Sequence, residues 1–566
     1  MSFQGVAVRG ALQRDRDGWL VFGLIGAYLL FFFFAVVMPL GLIVSRSLHS
    51  ARGDFVGLAN YAAYFASPAL HQSALNSVFV SAITTVIVLA MAFLYAYALT
   101  RSRMAWRPFF KIMAMAPLLM PGLLKAIALI YWFGNQGVLK PVMLGHSIYG
   151  PIGIVMASVL WTLPHAIMIL SAALMLADSR LYEAAESLKA GKARTFWMVT
   201  LPTVRYGLIS TAIFVFIAVF TEFGIPKVIG GKFNVLATDI YKEVVGQQNF
   251  EMGAVVSIIM LIPAIAAYLI DRVVTARQAA GLSARSVPYV PKKRTAFDAM
   301  MFAYCAIVAA MMLAVIAMGQ FAALVRFWPY NLQLTLVHYS FNMQGVGWEN
   351  FWNSLLLATL VATFGTFLTF LGAYLVEKPR DHAIGRQIIH AIALMPMAVP
   401  GLVLGLGYLF FINRPGSIFG FLYGGIAIIA INTITHYYTV THLTALTALK
   451  QLDREFESVS ASLKAPLWRS FWRVTVPVCS PAILEIWSYL FLNAMTTVSG
   501  AIFLYSIHTG LASIAVLHMD EAGRLASAAA MGTLIMYACI VVRLVHYVVS
   551  RHILVRLQSW RGSAHV

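Results

Sequence analysis

Two stretches of the sequence, 275 positions apart, carry the same pattern of basic, aromatic and hydroxyl residues. The pattern is SLKAxxxRxFWxVTxP, and it begins at Ser187 and again at Ser462. In the first copy Glu183 and Glu186 precede Lys189. That order suits a short helix, because the helix dipole favours acidic groups in the first turn and basic groups toward the end. The chemistry that such a polar helix offers is docking into a groove of another protein.

A second group of residues with chemical potential lies within or at the end of apolar stretches. Ionisable groups there are costly and mark functional sites by default. The candidate lining of a solute path comprises Lys125, Thr221, Glu222, Thr496 and Thr497. The functional interpretation of Lys125 is a cation that meets an anionic solute, and the alternative is a snorkelling or locally paired lysine.

Known catalytic spacings are missing from the sequence. It contains no GxxxxGK[ST] phosphate loop, no HExxH and no GxSxG. The three cysteines have no metal-type spacing. The chain is therefore predicted not to be an enzyme, to bind no metal and to hold no cofactor. Without a phosphate loop, any ATP-driven function of this chain would leave ATP to a separate partner subunit.

The elements that must position these residues are apolar helices. Hydrophobic residues make up 61% of the 566 residues and charged residues only 11%, whereas soluble domains carry about 25% charged residues. Runs of about 17–25 apolar residues are candidate transmembrane helices. The predicted fold class is thus an all-α polytopic membrane protein with 12 transmembrane helices. The predicted spans are 19–44, 77–99, 112–133, 152–176, 206–223, 252–270, 299–324, 354–376, 388–411, 418–445, 481–505 and 526–542.

The distribution of basic residues predicts the orientation of these spans. With the N-terminus inside, 30 of the 40 Lys and Arg residues fall on the inner side, nine fall on the outer side and Lys125 lies in a span. This bias follows the positive-inside rule and predicts that both termini are cytoplasmic. Because the basic residues are scattered between apolar runs, no nucleic-acid partner is expected.

The repeat divides the chain into two parallel halves of six helices each. The predicted boundaries are 1–275 for the first half, 276–297 for a basic cytoplasmic linker and 298–566 for the second half. A P-x3-P-G motif recurs within the third span of each half, at 117–122 and 396–401. Paired halves of this kind place a solute path at their interface.

The first loop resembles the EAA loop of permeases in binding-protein-dependent ABC importers. It has Glu-Ala-Ala at 183–185, a Leu-Pro pair ending at the twentieth position, and a place after the fourth span. The resemblance implies a bacterial inner membrane location. It also implies contact with lipids, two ABC ATPase subunits on the cytoplasmic side and an external or periplasmic solute-binding protein. It assigns coupling to Glu183, Ala184, Ala185, Lys189, Gly191 and Pro202, and in the second loop to Glu457, Ser458, Lys464 and Pro477.

The two loops depart from the family pattern. The family has glycine at the seventh position of the loop, where this chain has Lys189 and Lys464. The second loop reads Ser-Val-Ser at 458–460 instead of Glu-Ala-Ala. The pattern therefore predicts two docking helices that are not equivalent. The alternative is a basic cytoplasmic loop without a partner groove.

Three stretches bear on the solute. Residues 221–231, 495–505 and 511–523 look like the permeases of 2-aminoethylphosphonate importers, whereas related fused permeases serve ferric iron. Lys125 and Glu222 suit a phosphonate anion and its ammonium group, while ferric iron prefers hard anionic oxygen ligands. The predicted solute is a phosphonate such as 2-aminoethylphosphonate. The alternatives are ferric iron, or a 12-helix secondary transporter that needs no coupling loop.

Overall fold

The computed structural model describes residues 3–281, 287, 289–341, 345–379, 382–414, 416–417, 419–452, 455–463 and 465–562. Its first half is built from 13 helices, some joined by short 3-10 or π-helical turns. They are α1 (Phe3–Phe32), α2 (Met38–Ser47), α3 (Ala59–Ala66), α4 (Pro68–Arg101), α5 (Arg107–Met115), α6 (Gly122–Phe133), α7 (Pro151–Met175), α8 (Ser179–Ser187), α9 (Lys192–Thr195), α10 (Leu201–Phe220), α11 (Gly224–Ile229), α12 (Leu236–Tyr241) and α13 (Phe250–Gly281).

The second half repeats this order, with a small hairpin after its first helix. Its helices are α14 (Thr295–Leu324), α15 (Trp348–Glu377), α16 (Ala383–Ala393), α17 (Gly401–Ile412), α18 (Ile426–Lys450), α19 (Glu455–Ser462), α20 (Leu467–Ser470), α21 (Val476–Val478), α22 (Ser480–Thr496), α23 (Ala512–Glu521) and α24 (Leu525–Gly562). The hairpin pairs β1 (Val325–Phe327) with β2 (Asn331–Leu334) in antiparallel fashion.

The structure confirms an all-α membrane protein. Among the described residues, eight helices are long and apolar enough to cross a membrane, and three bent helix pairs raise the number to as many as 11. The predicted span 418–445 corresponds to α18, which falls outside both groups. The count of 12 spans therefore stays a prediction, as do the three domain boundaries.

The P-x3-P-G motifs account for two of the bends. The helix pairs Arg107–Leu119 with Gly122–Phe133, and Ala383–Ala398 with Gly401–Ile412, bend by 100° and 111°. Pro121 and Pro400 stand directly before the second helix of each pair. Proline disfavours a helical conformation at the residue before it, so the first helix ends there. Each predicted third span is thus two helices meeting at an angle.

The described chain forms two compact units, and these do not follow the halves of the sequence. One unit comprises Met1–Ile43, Glu349–Leu511 and Tyr537–Val566. The other comprises Val44–Trp348 and Ala512–Met536. The first long helix of each half is therefore built into the unit that holds the later helices of the other half.

In the first of these units, α1 packs among helices of the second half. The hydroxyl of Tyr28 donates to the carbonyl of Leu368 at 2.5 Å. The ring of Phe32 meets the ring of Tyr438 edge-on at 5.0 Å. Gly372 of α15 gives α1 its close approach, because a Cβ there would meet the Tyr28 ring at 2.8 Å as well as the Tyr438 hydroxyl.

In the second unit, α14 plays the matching role against helices of the first half. The hydroxyl of Tyr304 donates to the carbonyl of Met91 at 2.8 Å, and Trp132 Nε1 donates to the carbonyl of Ala314 at 3.1 Å. Within the same unit α7 packs against α4 and α10. Gly207 of α10 faces Ala173 of α7 so closely that a Cβ would overlap it. These contacts fix the helices that carry the first coupling loop.

Candidate functional site

The first coupling loop is a capped helix followed by a tight turn. The side chain of Asp178 accepts from the backbone N–H of Arg180 at 3.1 Å and so caps α8. Glu183 is exposed and accepts a 3.2 Å hydrogen bond from the hydroxyl of Ser179. Ala184 is exposed, whereas Ala185 is buried. Of the predicted Glu-Ala-Ala residues, Glu183 and Ala184 thus remain available to a partner.

The turn after α8 explains why the family favours glycine at its seventh position. Lys189 has a φ of +53°, in the left-handed region. Its backbone N–H donates to the carbonyl of Glu186 at 2.9 Å, and the N–H of Ala190 donates to the carbonyl of Ala185 at 2.9 Å. Glycine takes this conformation without strain, whereas other residues take it at a cost.

Lys189→Gly is expected to stabilise this turn by about 1 kcal/mol, since it relieves the strain of a left-handed residue with a side chain. Amide exchange of Leu188 and Ala190 should slow by about fivefold. The matched control is Lys192→Gly in α9, which should speed local exchange because glycine is unfavourable in a helix. Equal or faster exchange in Lys189→Gly would show that the turn is not strained.

The remaining residues assigned to coupling have simpler roles. Gly191 is the N-cap of α9, and Pro202 lies in the first turn of α10, where its missing N–H costs nothing. Pro477 has the same place in α21. Glu457 and Ser458 lie in α19, but their side chains are outside the described part of the chain, as is Lys464 altogether.

Both coupling helices expose an apolar stripe at matching positions. In the first loop the stripe is Leu181, Ala184 and Leu188, and Leu188 is 83% exposed. In the second it is Phe456, Val459 and Leu463, and Leu463 is 75% exposed. The spacing i, i+3, i+7 places each set on one face of its helix. Each loop thus presents three exposed apolar side chains on one face of an otherwise polar helix.

Lys125 and Glu222 lie close enough to interact in the second compact unit. Lys125, in α6, is 2% exposed, and it interacts electrostatically with the carboxylate of Glu222 and with His165 of α7. The Glu222 carboxylate accepts from the backbone N–H groups of Gly224 and Ile225 at 3.0 and 3.3 Å. It therefore caps α11 where the chain breaks after α10.

The three threonines predicted for the pathway differ in their environments. The hydroxyls of Thr221 and Thr496 bond backward to the carbonyls of Ile217 and Leu492 of their own helices, at 2.9 and 3.0 Å. Thr497 is buried just after α22 ends. The hydroxyls of Thr221 and Thr496 thus satisfy carbonyls in the last turns of α10 and α22, a structural role that the sequence does not distinguish from lining a path.

Sequence reasoning missed the polar face of α18. Asn432 Nδ2 donates to the carbonyl of Gly500 at 2.6 Å, just beyond the end of α22. Gly401 packs against the side chains of Ser499 and His436. The sequence signal for this polar face is 432–442, where asparagine, threonine, histidine and tyrosine make up nearly all of a segment within a predicted span. The second half therefore surrounds its chain break with neutral polar groups instead of a Lys–Glu pair.

Two of the stretches that bear on the solute meet in the second unit. Lys227, in 221–231, forms a 2.7 Å ion pair with Glu521, in 511–523. His518 lies 3.7 Å from the Glu521 carboxylate. The hydrogen bond from His518, together with Lys227, lowers the pKa of Glu521 to about 2. Burial raises the pKa of the neighbouring Asp520 to about 7. The two stretches thus form one charged cluster beside α11.

Comparison with known proteins identifies relatives along most of the chain. Residues 85–279 and 370–555 each match the family described as binding-protein-dependent transport system inner membrane component. A Haemophilus influenzae protein named as a ferric transport system permease is 28% identical over 87% of this chain and 79% of its own length. The ferric transport system permease of Actinobacillus pleuropneumoniae is 25% identical over 92% and 77%.

Relatives with other named solutes cover a smaller part of the chain. A spermidine/putrescine transport system permease of Haemophilus influenzae is 25% identical over 42% of this chain and 86% of its own length. Such relatives correspond to a single half.

Proposed function

The chain belongs to the binding-protein-dependent transport system inner membrane components, and from this premise we propose that it forms both halves of the solute path of one ATP-driven importer. The chain is a multi-pass inner-membrane protein and an ABC importer permease. In the proposal, two ABC ATPase subunits dock on α8 and α19 at the cytoplasmic side, where both termini also lie. A solute-binding protein delivers solute from the other side, and ATP is bound by the ATPase subunits.

The apolar stripe on each coupling helix is the observation that carries this proposal. Burial of one leucine side chain contributes about 1.5–3 kcal/mol. The stripe that includes Leu188 and the stripe that includes Leu463 can therefore each bind one ATPase subunit through apolar contacts. The basic residues of the same loops support a cytoplasmic location through the positive-inside rule.

Purification of the chain from its native membrane tests the ATPase partnership. A separate ATPase subunit is expected in the purified material, at two copies per chain, and it should be released when detergent-solubilised chain is incubated with a peptide of residues 179–191. Recovery of the chain without any ATPase under mild detergent, with the binding protein present or absent, would contradict the docking role of α8 and α19.

For the solute, we propose ferric iron. Support comes from the two relatives that cover about nine-tenths of this chain, both named for ferric transport. The described residues bring together no group of three or more His, Cys, Asp or Glu side chains that could hold a metal ion. The second candidate is a phosphonate such as 2-aminoethylphosphonate, which the buried Lys125 and the half-buried Glu222 favour.

Lys125→Met separates these two solutes. If a phosphonate crosses past Lys125, its uptake should fall by about 10–100-fold, since a hydrogen bond to a charged group contributes about 1.5–3 kcal/mol. Iron uptake should then be unaffected. The matched control is Leu404→Met, the counterpart in the second half, which is also buried. Uptake of iron-55 and of labelled 2-aminoethylphosphonate is measured in cells that express each variant.

The outcomes are distinct. Iron uptake in the unmodified chain, with no phosphonate uptake, supports ferric iron. Phosphonate uptake that Lys125→Met abolishes supports the second candidate instead. Phosphonate uptake that Lys125→Met leaves unchanged would assign Lys125 to local pairing with Glu222.

A further inference from the structure

Residues 287 and 289–292, from the linker between the halves, lie along the first coupling helix. The backbone N–H of Ser179 bonds the carbonyl of Val287 at 2.9 Å. In return, the N–H of Val287 bonds Oδ1 of Asp178 at 3.3 Å. The same carboxylate caps α8, so the linker is joined to the start of the helix through its capping residue.

A cluster of two tyrosine rings and one arginine continues this contact between the linker and α8. The ring of Tyr289, from the linker, lies 4.7 Å from the ring of Tyr182, from α8. The guanidinium of Arg101, at the end of α4, sits 4.4 Å from the Tyr289 ring and 5.0 Å from the Tyr182 ring. Arg101 also donates to the carbonyl of Leu174, at the end of α7, at 2.8 Å. Cation–π contacts and this hydrogen bond thus join the linker, α8 and two spans at one point.

The far end of α8 is joined to the linker by an ion pair. Lys292 Nζ lies 2.6 and 2.8 Å from the two carboxylate oxygens of Glu186. The hydrogen bond from Lys292 lowers the pKa of Glu186. Both side chains are exposed, so the pair contributes little alone. It does show that the linker follows α8 from its first residue almost to its last.

The corresponding place in the second half is arranged differently. Under α19 there is a cavity of about 40 Å³, lined by Tyr374, Lys378, Leu452, Phe456, Ser460, Ser470, Val474 and Thr475. Tyr374 and Lys378 are the counterparts of Tyr97 and Arg101 in the repeat. The carboxylate of Asp17 bonds the N–H of Leu467 at 3.1 Å, which ties the second loop beyond its docking helix instead of beneath it.

We propose that Val287, Tyr289 and Lys292 of the linker form a strap that fixes the first coupling helix to the ends of α4 and α7. Tyr289 and Lys292 are then positioning residues: they pass the movement of a docked ATPase from α8 to the spans without touching solute or nucleotide. The inference rests on the proposed role of α8 as an ATPase dock. It explains why the two docking helices are not equivalent: the linker contacts α8, whereas the second loop is bonded by Asp17 beyond the end of α19.

The test uses the full permease with its ATPase and binding protein in proteoliposomes. Tyr289→Ala is expected to leave ATPase binding within about twofold of the unmodified chain, while solute transported per ATP hydrolysed falls at least fivefold. Tyr289→Phe, which keeps the ring, should restore the ratio. Val290→Ala changes an exposed neighbour in the same linker and should have no effect. A merely structural residue would lower both quantities together.

A disulfide lock decides the matter if Tyr289→Ala does not fold. In Ser179→Cys/Val287→Cys, oxidation should leave transport unchanged, because a strap stays closed throughout the cycle. Loss of transport on oxidation, regained with reductant, would overturn the proposal, as would normal coupling in Tyr289→Ala. If no ATPase binds the unmodified chain, the docking role fails instead, and that result is visible before any variant is compared.

Discussion

Leu188→Asp is expected to reduce the ATPase that co-purifies with the chain by at least tenfold and to abolish uptake. Leu188 is 83% exposed on the first coupling helix, so the substitution leaves the fold intact. Removing one buried leucine from an interface costs about 1.5–3 kcal/mol, and a carboxylate in its place adds a desolvation cost. The measurement is the ATPase-to-permease ratio after purification, with uptake in the same cells.

The second loop offers a parallel substitution and the linker offers a control. Leu463→Asp should have an effect of the same sign, because Leu463 occupies the matching position and is 75% exposed. Val290→Asp introduces the same charge at an exposed apolar residue of the linker and should retain the ATPase. Full ATPase recovery and uptake in both leucine variants would mean that the apolar stripes are not docking surfaces.

Gly372→Val is expected to prevent the accumulation of folded protein. A side chain at Gly372 would overlap the Tyr438 hydroxyl and approach the Tyr28 ring to 2.8 Å. Neither ring can yield easily, since Tyr28 is hydrogen-bonded to Leu368 and Tyr438 packs against Phe32. Overpacking a core typically costs about 1–3 kcal/mol, and here two aromatic rings must move at once. Fluorescence-detected size-exclusion chromatography measures the amount of monodisperse protein, and a temperature series gives the melting point of any that accumulates.

The matched control for Gly372→Val is Gly26→Val. Gly26 lies on the same helix as Tyr28, but no atom stands within 4 Å of a Cβ built there. Its melting point should remain within a few degrees of the unmodified chain. A monodisperse Gly372→Val with an unchanged melting point would show that α1 does not pack against α15.

Most of the architecture could be predicted from the sequence, because lipid imposes long apolar helices and the repeat fixes their order. The bends could not be predicted from hydropathy, since an apolar run stays apolar whether it is straight or broken at Pro121 or Pro400. The exchange of α1 and α14 between the compact units has no local signal either. It depends on which helix faces fit, as at Gly372, and periodicity does not report that.

The candidate site could be predicted in part. The loop at 183–202 was assigned to coupling because its spacing resembles a family pattern, and that assignment stays a prediction. The structure adds that Lys189, at the position where the family has glycine, has a left-handed backbone. Glu222 was identified as ionisable and near a break, but its role in capping α11 depends on backbone N–H groups that a sequence does not reveal. The contacts of Tyr289 and Lys292 with α8 were missed because a basic, proline-containing linker has the composition of a passive connection.

The solute interpretation changed more than the fold. Short local stretches favoured a phosphonate, whereas relatives that match along most of the chain carry names for ferric transport. In this chain, 221–231 and 511–523 are joined by the ion pair between Lys227 and Glu521.

Transport in proteoliposomes tests the central claim most directly. The chain is reconstituted with its ATPase and binding protein, iron-55 and labelled 2-aminoethylphosphonate are offered, and ionophores collapse all ion gradients. We predict uptake of one of these solutes that requires both ATP on the ATPase side and the binding protein on the other, and that is unaffected by ionophores. Uptake that continues without ATP and disappears with the ion gradient would contradict the claim, because the chain would then be a secondary transporter.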